Sequence, residues 1–276
     1  MRAQPSIDGG TEARSRRILG MRVDATTYDA AAAQIVSWAR SSEPRYVCVA
    51  TVNNVMEAHD DPRFHVVMDR ADLVTPDGMP LVWGLRWLGV QDATRVYGPD
   101  LTPVVLDIAE RDGVPVGFYG GAPDVLAALR DELGHRWPSL DVAYAFSPPY
   151  RELTAAEDLA VVRDIERSGA RILFVGLGCP KQERWMADHV RHLRVVMVGV
   201  GAAFDFLAGS KRQAPRALQD AGLEWAFRLV TEPRRLAGRY LRHNPRFVAL
   251  FAAQLLNARF ARGANELPDH VEGETR

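Results

Sequence analysis

With 276 residues, 47% hydrophobic and 25% charged, the chain is long enough to bury a substantial core and has the make-up of a soluble globular protein. Its 34 Lys and Arg against 35 Asp and Glu leave a net charge of -1, which excludes a global field toward nucleic acid or membrane, so such binding must come from local clustering. Two distant cysteines, Cys48 and Cys179, lack metal-ligand spacing and read as reduced thiols of a cytosolic protein, and no window reaches the roughly 18 apolar residues of a spanning helix.

Residues 1–17 carry basic side chains but no apolar core of a signal peptide, and are expected to be a disordered lead-in. The α/β domain is expected over 18–213. Its first predicted helix opens at Thr26 or Thr27, and its first strand is RYVCVAT at 45–51. In the TVNN that ends this strand, Thr51, Asn53 and Asn54 read either as turn formers or as hydrogen-bonding groups for a hydroxyl-rich ligand. In ADLVTPDGMP (71–80), Asp77 sits between Pro76 and Gly78, which suits both a tight turn and a presented base. Arg95 follows as a cation in a loop, read as a surface ion pair or a ligand contact.

Further strands are VPVGFYG (114–120), LDVAYAF (140–146), RILFVGLG (171–178) and RVVMVGVG (194–201). Short apolar runs separated by helices predict a mainly parallel, Rossmann-like sheet with helices on both faces. The helices open at Pro123, at Thr154 with Glu157 completing a capping box, and at Pro180. Ligands of such sheets sit outside the strands' carboxyl ends, where loops enter helix N-termini. The loops 51–54, 120–123, 176–183 and 200–205 are therefore the expected seat of chemistry.

GLGCPKQE (176–183) combines glycines, including Gly178, with Lys181, Gln182 and Glu183 in the first turn of a helix. A lysine there opposes the helix dipole and calls for an anion, such as phosphate. The fragment is not a GxGxxG fingerprint, which disfavours NAD. Asp205 caps a turn or positions a ligand. No Asp-x-Asp, HExxH, GxSxG or P-loop occurs, so no metal ligands or cofactor are expected.

From 214 to 262 the texture changes to a helical appendage with nine arginines, no lysine and three acids. Pro233 and Pro245 are expected to cut it into three helices, with Asn244 capping the last. Such a tail is either a solvated face docked on the domain or a surface for membrane and polyanion. Residues 263–276 are expected to be a disordered tail.

Taken in order, Thr51-x-Asn53, TPDG, RVYGPDL, FYGG, GLGCPKQE, VGVGAAFDFLAG, KRQAP, GLEWAFRL and EPRR resemble the WecG/TagA/CpsF glycosyltransferase family over roughly residues 18 to 245. The resemblance implies an inverting, metal-independent transfer of N-acetylmannosamine or a related hexose from a UDP-sugar to a polyprenyl-diphosphate-linked sugar. It places the work in cell-surface polysaccharide or teichoic-acid-type synthesis, with the protein peripheral on the inner face of the cell membrane and able to self-associate. It matches the family's catalytic carboxylate to Asp77, its substrate contacts to Thr51, Asn53, Arg95 and Gln182, and its appendage arginines to Arg228, Arg235 and Arg239. The chain departs from the family at Gly238-Arg239, where a double arginine is common. Two rival readings stand beside it, a nucleotide-binding oxidoreductase and a noncatalytic membrane-surface scaffold.

Overall fold

The computed structural model describes residues 14–265. The chain enters through a hairpin of β1 (Ser15–Ile18) and β2 (Met21–Asp24), paired antiparallel. Residues 15–17 are thus strand rather than disordered lead-in, because Ile18, Met21 and Val23 are fully buried and hold the hairpin on the core. Asp24 fastens it further by accepting the Val74 N–H at 2.8 Å. The rest of the expected lead-in, 1–13, and the expected tail from 266 onward lie outside the described residues.

There follow α1 (Tyr28–Arg40), β3 (Arg45–Ala50), α2 (Val52–Asp60), α3 (Pro62–Arg70), β4 (Leu73–Pro76), α4 (Met79–Trp87) and α5 (Gly98–Asp112). Next come β5 (Val116–Gly120), α6 (Pro123–Arg136), β6 (Val142–Phe146), α7 (Ala155–Ser168), β7 (Ile172–Gly176), α8 (Lys181–His189), β8 (Val196–Gly199) and α9 (Ala203–Leu207). Local chemistry sets several starts as expected. Thr27 caps α1 by accepting from Ala30 N–H, and Thr154 with Glu157 forms the capping box of α7. Pro180 stands just outside α8, at its cap.

The main sheet has the order β4-β3-β8-β7-β5-β6, and every pair is parallel. Helices cover both faces, and the two-residue period of a strand shows how. Tyr46, Cys48 and Ala50 of β3 join one core cluster with Met56, Phe64, Leu81 and Met186 of α2, α3, α4 and α8. Val47 and Val49 join the other, with Ile35, Val105, Leu129 and Phe204 of α1, α5, α6 and α9. β4 was not among the predicted runs; its four residues are all buried and it pairs with β3 along the sheet's end.

The appendage forms α10 (Arg216–Asp220), α11 (Glu224–Thr231) and α12 (Pro233–Asn265). Pro233 opens α12, but Pro245 lies inside it, so the expected break there and the cap at Asn244 are corrected to one continuous helix. The reason is packing on both sides of the proline. Leu236, His243, Phe247 and Phe251 form one buried row. The carbonyl that Pro245 leaves without a donor belongs to Leu241, which is 73% exposed, so water can serve it.

Phe251 stacks on Phe247 and Trp87 with ring centroids 5.7 and 6.1 Å away, within the same cluster as the sheet. Phe251→Ala is accordingly expected to cost about 3–5 kcal/mol in denaturant unfolding. A loss below about 1 kcal/mol would show that α12 is not part of the cooperative core.

Candidate active site at the strand ends

Asp77 is the first residue beyond β4. Ala50 and Pro76 are register partners, and the Asp77 N–H donates to the Ala50 carbonyl at 2.9 Å, so the 51–54 and 75–78 loops lie side by side. Arg95 approaches from the segment before α5: its Nε donates to the Asp77 carbonyl oxygen, and its Nη2 lies 3.4 Å from Asp77 Oδ1. The same Nη2 donates to Glu224 Oε2 of α11 at 2.5 Å. Side chains of Asp77, Arg95 and Glu224 are only 15%, 15% and 12% exposed. The Arg95 guanidinium lies over the Tyr97 ring, 4.1 Å from its centroid.

Electrostatics follow from that burial. Loss of water pushes the Asp77 carboxyl up to about 6; Arg95 and Arg228 pull it down, and Glu224 pushes it up. Burial works against the charge of Arg95, but Asp77 and Glu224 outweigh it and hold the guanidinium protonated. Arg228, also from α11, lies over the Phe206 ring at 5.9 Å, and its buried Nε has no hydrogen-bond partner. Asp100 at the start of α5 is pushed up by burial and accepts from the Tyr28 hydroxyl at 3.4 Å. A cavity of about 350 Å³ opens beside this group, lined by Asp100, Arg136, Phe206 and Lys211 among others.

A second polar group ties the neighbouring loops. Thr51 caps α2, accepting from Asn53 N–H at 3.2 Å, while Asn54 Oδ1 accepts the Thr51 N–H at 3.0 Å. Asn54 and Gln182 both donate to Glu183 Oε1, at 2.9 and 3.0 Å, and Gln182 Oε1 accepts from the Gly178 and Gly201 N–H groups at 3.2 Å each. Asn54, Gln182 and Glu183 are 2%, 3% and 0% exposed. These hydrogen bonds tie the 51–54, 176–183 and 200–205 loops together, while the second carboxylate oxygen of Glu183, Oε2, is buried without a hydrogen-bond partner. Gly178 has φ +79, so glycine is required there by backbone conformation.

Asn53 differs. Its amide donates to Cys179 Sγ at 3.1 Å while its buried Oδ1 has no hydrogen-bond partner. Arg239 is near enough for its charge to act on the Cys179 thiol, which burial and Glu183 push up, and the Arg239 Nε is likewise buried without a partner. Arg235 lies on α12 with a side chain outside the described ones. Lys181 lies over the Tyr150 ring at 5.7 Å, and Asp205 pairs at 3.2 Å with Lys211, which lines the cavity beside the first group.

Glu224, Tyr97 and Asp100 were not singled out from sequence. The signal for Glu224 was present in GLEWAFRL: an acid in a segment dominated by arginine. Among the described residues, no group of three or more His, Cys, Asp or Glu side chains is placed to hold a metal.

A parallel α/β sheet whose strand ends gather a shielded carboxylate and several guanidinium groups is an arrangement chemically suited to an anionic small molecule at that edge. The model of the Glycosyl transferase WecG/TagA/CpsF family matches residues 16–261, and the chain belongs to that family. It is therefore a glycosyltransferase of cell-surface polysaccharide synthesis. The family implies a sugar-nucleotide donor and a lipid-linked acceptor in general terms. Membership decides for a transferase over the oxidoreductase and scaffold readings.

Proposed function

We propose that the enzyme transfers N-acetylmannosamine or a related hexose from a UDP-sugar to a polyprenyl-diphosphate-linked sugar, with inversion and without a metal. Asp77 takes the proton of the acceptor hydroxyl as that oxygen attacks the anomeric carbon from the face opposite UDP. The bond to the leaving diphosphate breaks in the same step, and inversion follows from the direct displacement. Arg95 and Arg228 meet the charge that grows on the diphosphate, and Arg239 and Arg235 of the appendage are assigned to substrate binding beside them. Thr51 and Asn53 serve the sugar hydroxyls, with Asn53 Oδ1 as the acceptor.

The observation that carries this reading is the carboxyl of Asp77, shielded at a strand end, with a value of about 6 that leaves it ionised at neutral pH yet basic enough to accept a proton. Work at the inner membrane face is supported by the appendage. Leu241, Val248 and Leu256 of α12 are 73%, 65% and 55% exposed, and Trp225 and Val230 of α11 are 43% and 81% exposed. Apolar side chains interspersed with arginines suit the headgroup region of an anionic bilayer. Among the described residues no helix is long and apolar enough to cross a membrane.

A panel of UDP-sugars with a short-chain prenyl-diphosphate-linked acceptor, assayed with and without EDTA, tests the proposal. Turnover of one UDP-hexose is expected, unchanged by EDTA. Turnover abolished by EDTA and restored by a divalent cation would overturn the metal-free mechanism.

A further inference from the structure

Glu224 opens α11 on a surface otherwise governed by arginine, and its carboxylate is 12% exposed. Stability does not account for a charge at that depth. A buried ion pair recovers its lost hydration poorly, and an apolar residue of like size would seat the helix as well or better. Gly222, two residues earlier, already brings the segment into close contact with α4: a Cβ there would fall 2.7 Å from the Trp83 ring. The charge must therefore be sought for what it does to its partner.

That partner is Arg95. Its Nη2 stands between two carboxylates, 2.5 Å from Glu224 Oε2 and 3.4 Å from Asp77 Oδ1, and its Nε is held by the Asp77 carbonyl. A guanidinium is planar, so fixing Nε and Nη2 fixes the direction of Nη1, which donates to no other described side chain. An arginine aimed in this way stabilises developing charge without reorganising when the reaction occurs.

We infer that Glu224 is a positioning residue of the transfer reaction: carried by the appendage, it clamps Arg95 against Asp77 and so sets both the aim of the guanidinium and the field felt by the base. The inference rests on the reading of Asp77 as that base. The groups facing Asp77 are Arg95 and Tyr97 from the segment before α5, Glu224 and Arg228 from α11, and Tyr28 from α1. Of these only Glu224 is a second carboxylate, and removing its charge leaves two guanidinium groups to favour ionised Asp77.

The test uses the full chain, with the UDP-sugar that turns over in the panel, comparing wild type, Glu224→Gln, Glu224→Asp and Asp77→Asn. In Glu224→Gln, kcat is expected to fall about 10- to 100-fold, with KM for the acceptor little changed. The acid limb of its pH profile, near 6 in wild type, is expected to move down by about half to one pH unit. Glu224→Asp keeps the charge, so its limb stays in place while kcat drops through the shorter reach. A merely structural glutamate would lower kcat in Glu224→Gln without moving the limb, and that result overturns the inference while the loss of turnover in Asp77→Asn upholds the base. Turnover retained by Asp77→Asn overturns the base reading and this inference with it. Should Glu224→Gln not fold by circular dichroism, Glu224→Asp decides: wild-type kcat there overturns the clamp.

Discussion

Asp77→Asn is expected to lower turnover about 10²- to 10⁴-fold, the usual worth of a general base, and at the same time to make the protein harder to unfold. The two effects share one cause. The folded protein holds this carboxyl at about 6, above the ordinary 3.8 that it regains on unfolding. Between those values the folded state binds the extra proton, so acidification from neutrality toward 4 adds stability, and ionised Asp77 costs folding energy above about pH 6. The shift sets that cost at up to about 3 kcal/mol. Asparagine keeps the shape without the charge, so the gain in urea midpoint should be clear at pH 8 and vanish near pH 4. Wild-type turnover in the variant would remove Asp77 from the chemistry, and an unchanged midpoint at pH 8 would remove the burial argument.

Arg95→Ala is expected to act in the opposite direction on stability, by about 3–5 kcal/mol, because it leaves Asp77 and Glu224 as shielded carboxylates without their shared cation. The loss should shrink on acidification, since protonating Asp77 relieves the repulsion. Activity should fall as well. Without the guanidinium the base keeps its proton to higher pH, so any residual activity has its acid limb above 6 rather than below it. Urea titrations at pH 5 and pH 8 with a pH–rate profile check the expectation. A destabilisation below about 1 kcal/mol at pH 8 would mean that Arg95 pairs with its neighbours only loosely in solution.

Much of this site can be read along the chain because its parts are local. The runs 45–51, 114–120, 171–178 and 194–201 hold strands whose apolar side chains alternate between two buried faces, 140–146 holds the half-covered edge strand, and the loops at their carboxyl ends carry the polar residues. Asp77 and Arg95 stand in short motifs of their own. What composition and spacing could not convey is partnership. Gln182 and Asn54 look like ligand contacts in sequence, yet their amides meet at Glu183, across 129 positions in the case of Asn54. Glu224 lies equally far from Arg95, at a separation of 129 positions, and its place among arginines marks it as unusual without naming Arg95 as its partner. Pro245 misled for a related reason. A proline's cost to a helix is local and fixed, whereas the burial of Phe247 and Phe251 that outweighs it is tertiary.

The hairpin that opens the described chain is fastened by α12. Gln254 takes the Leu19 N–H at 2.8 Å and gives its own amide to the Arg17 carbonyl at 2.7 Å, contacts that span 235 and 237 positions. During synthesis the earliest strands leave the ribosome long before the residue that clasps them. Until α12 is in place, Ile18 and Met21 of the hairpin lack part of the cluster that includes Phe247 and Phe251. Closure of so large a loop comes late and slowly.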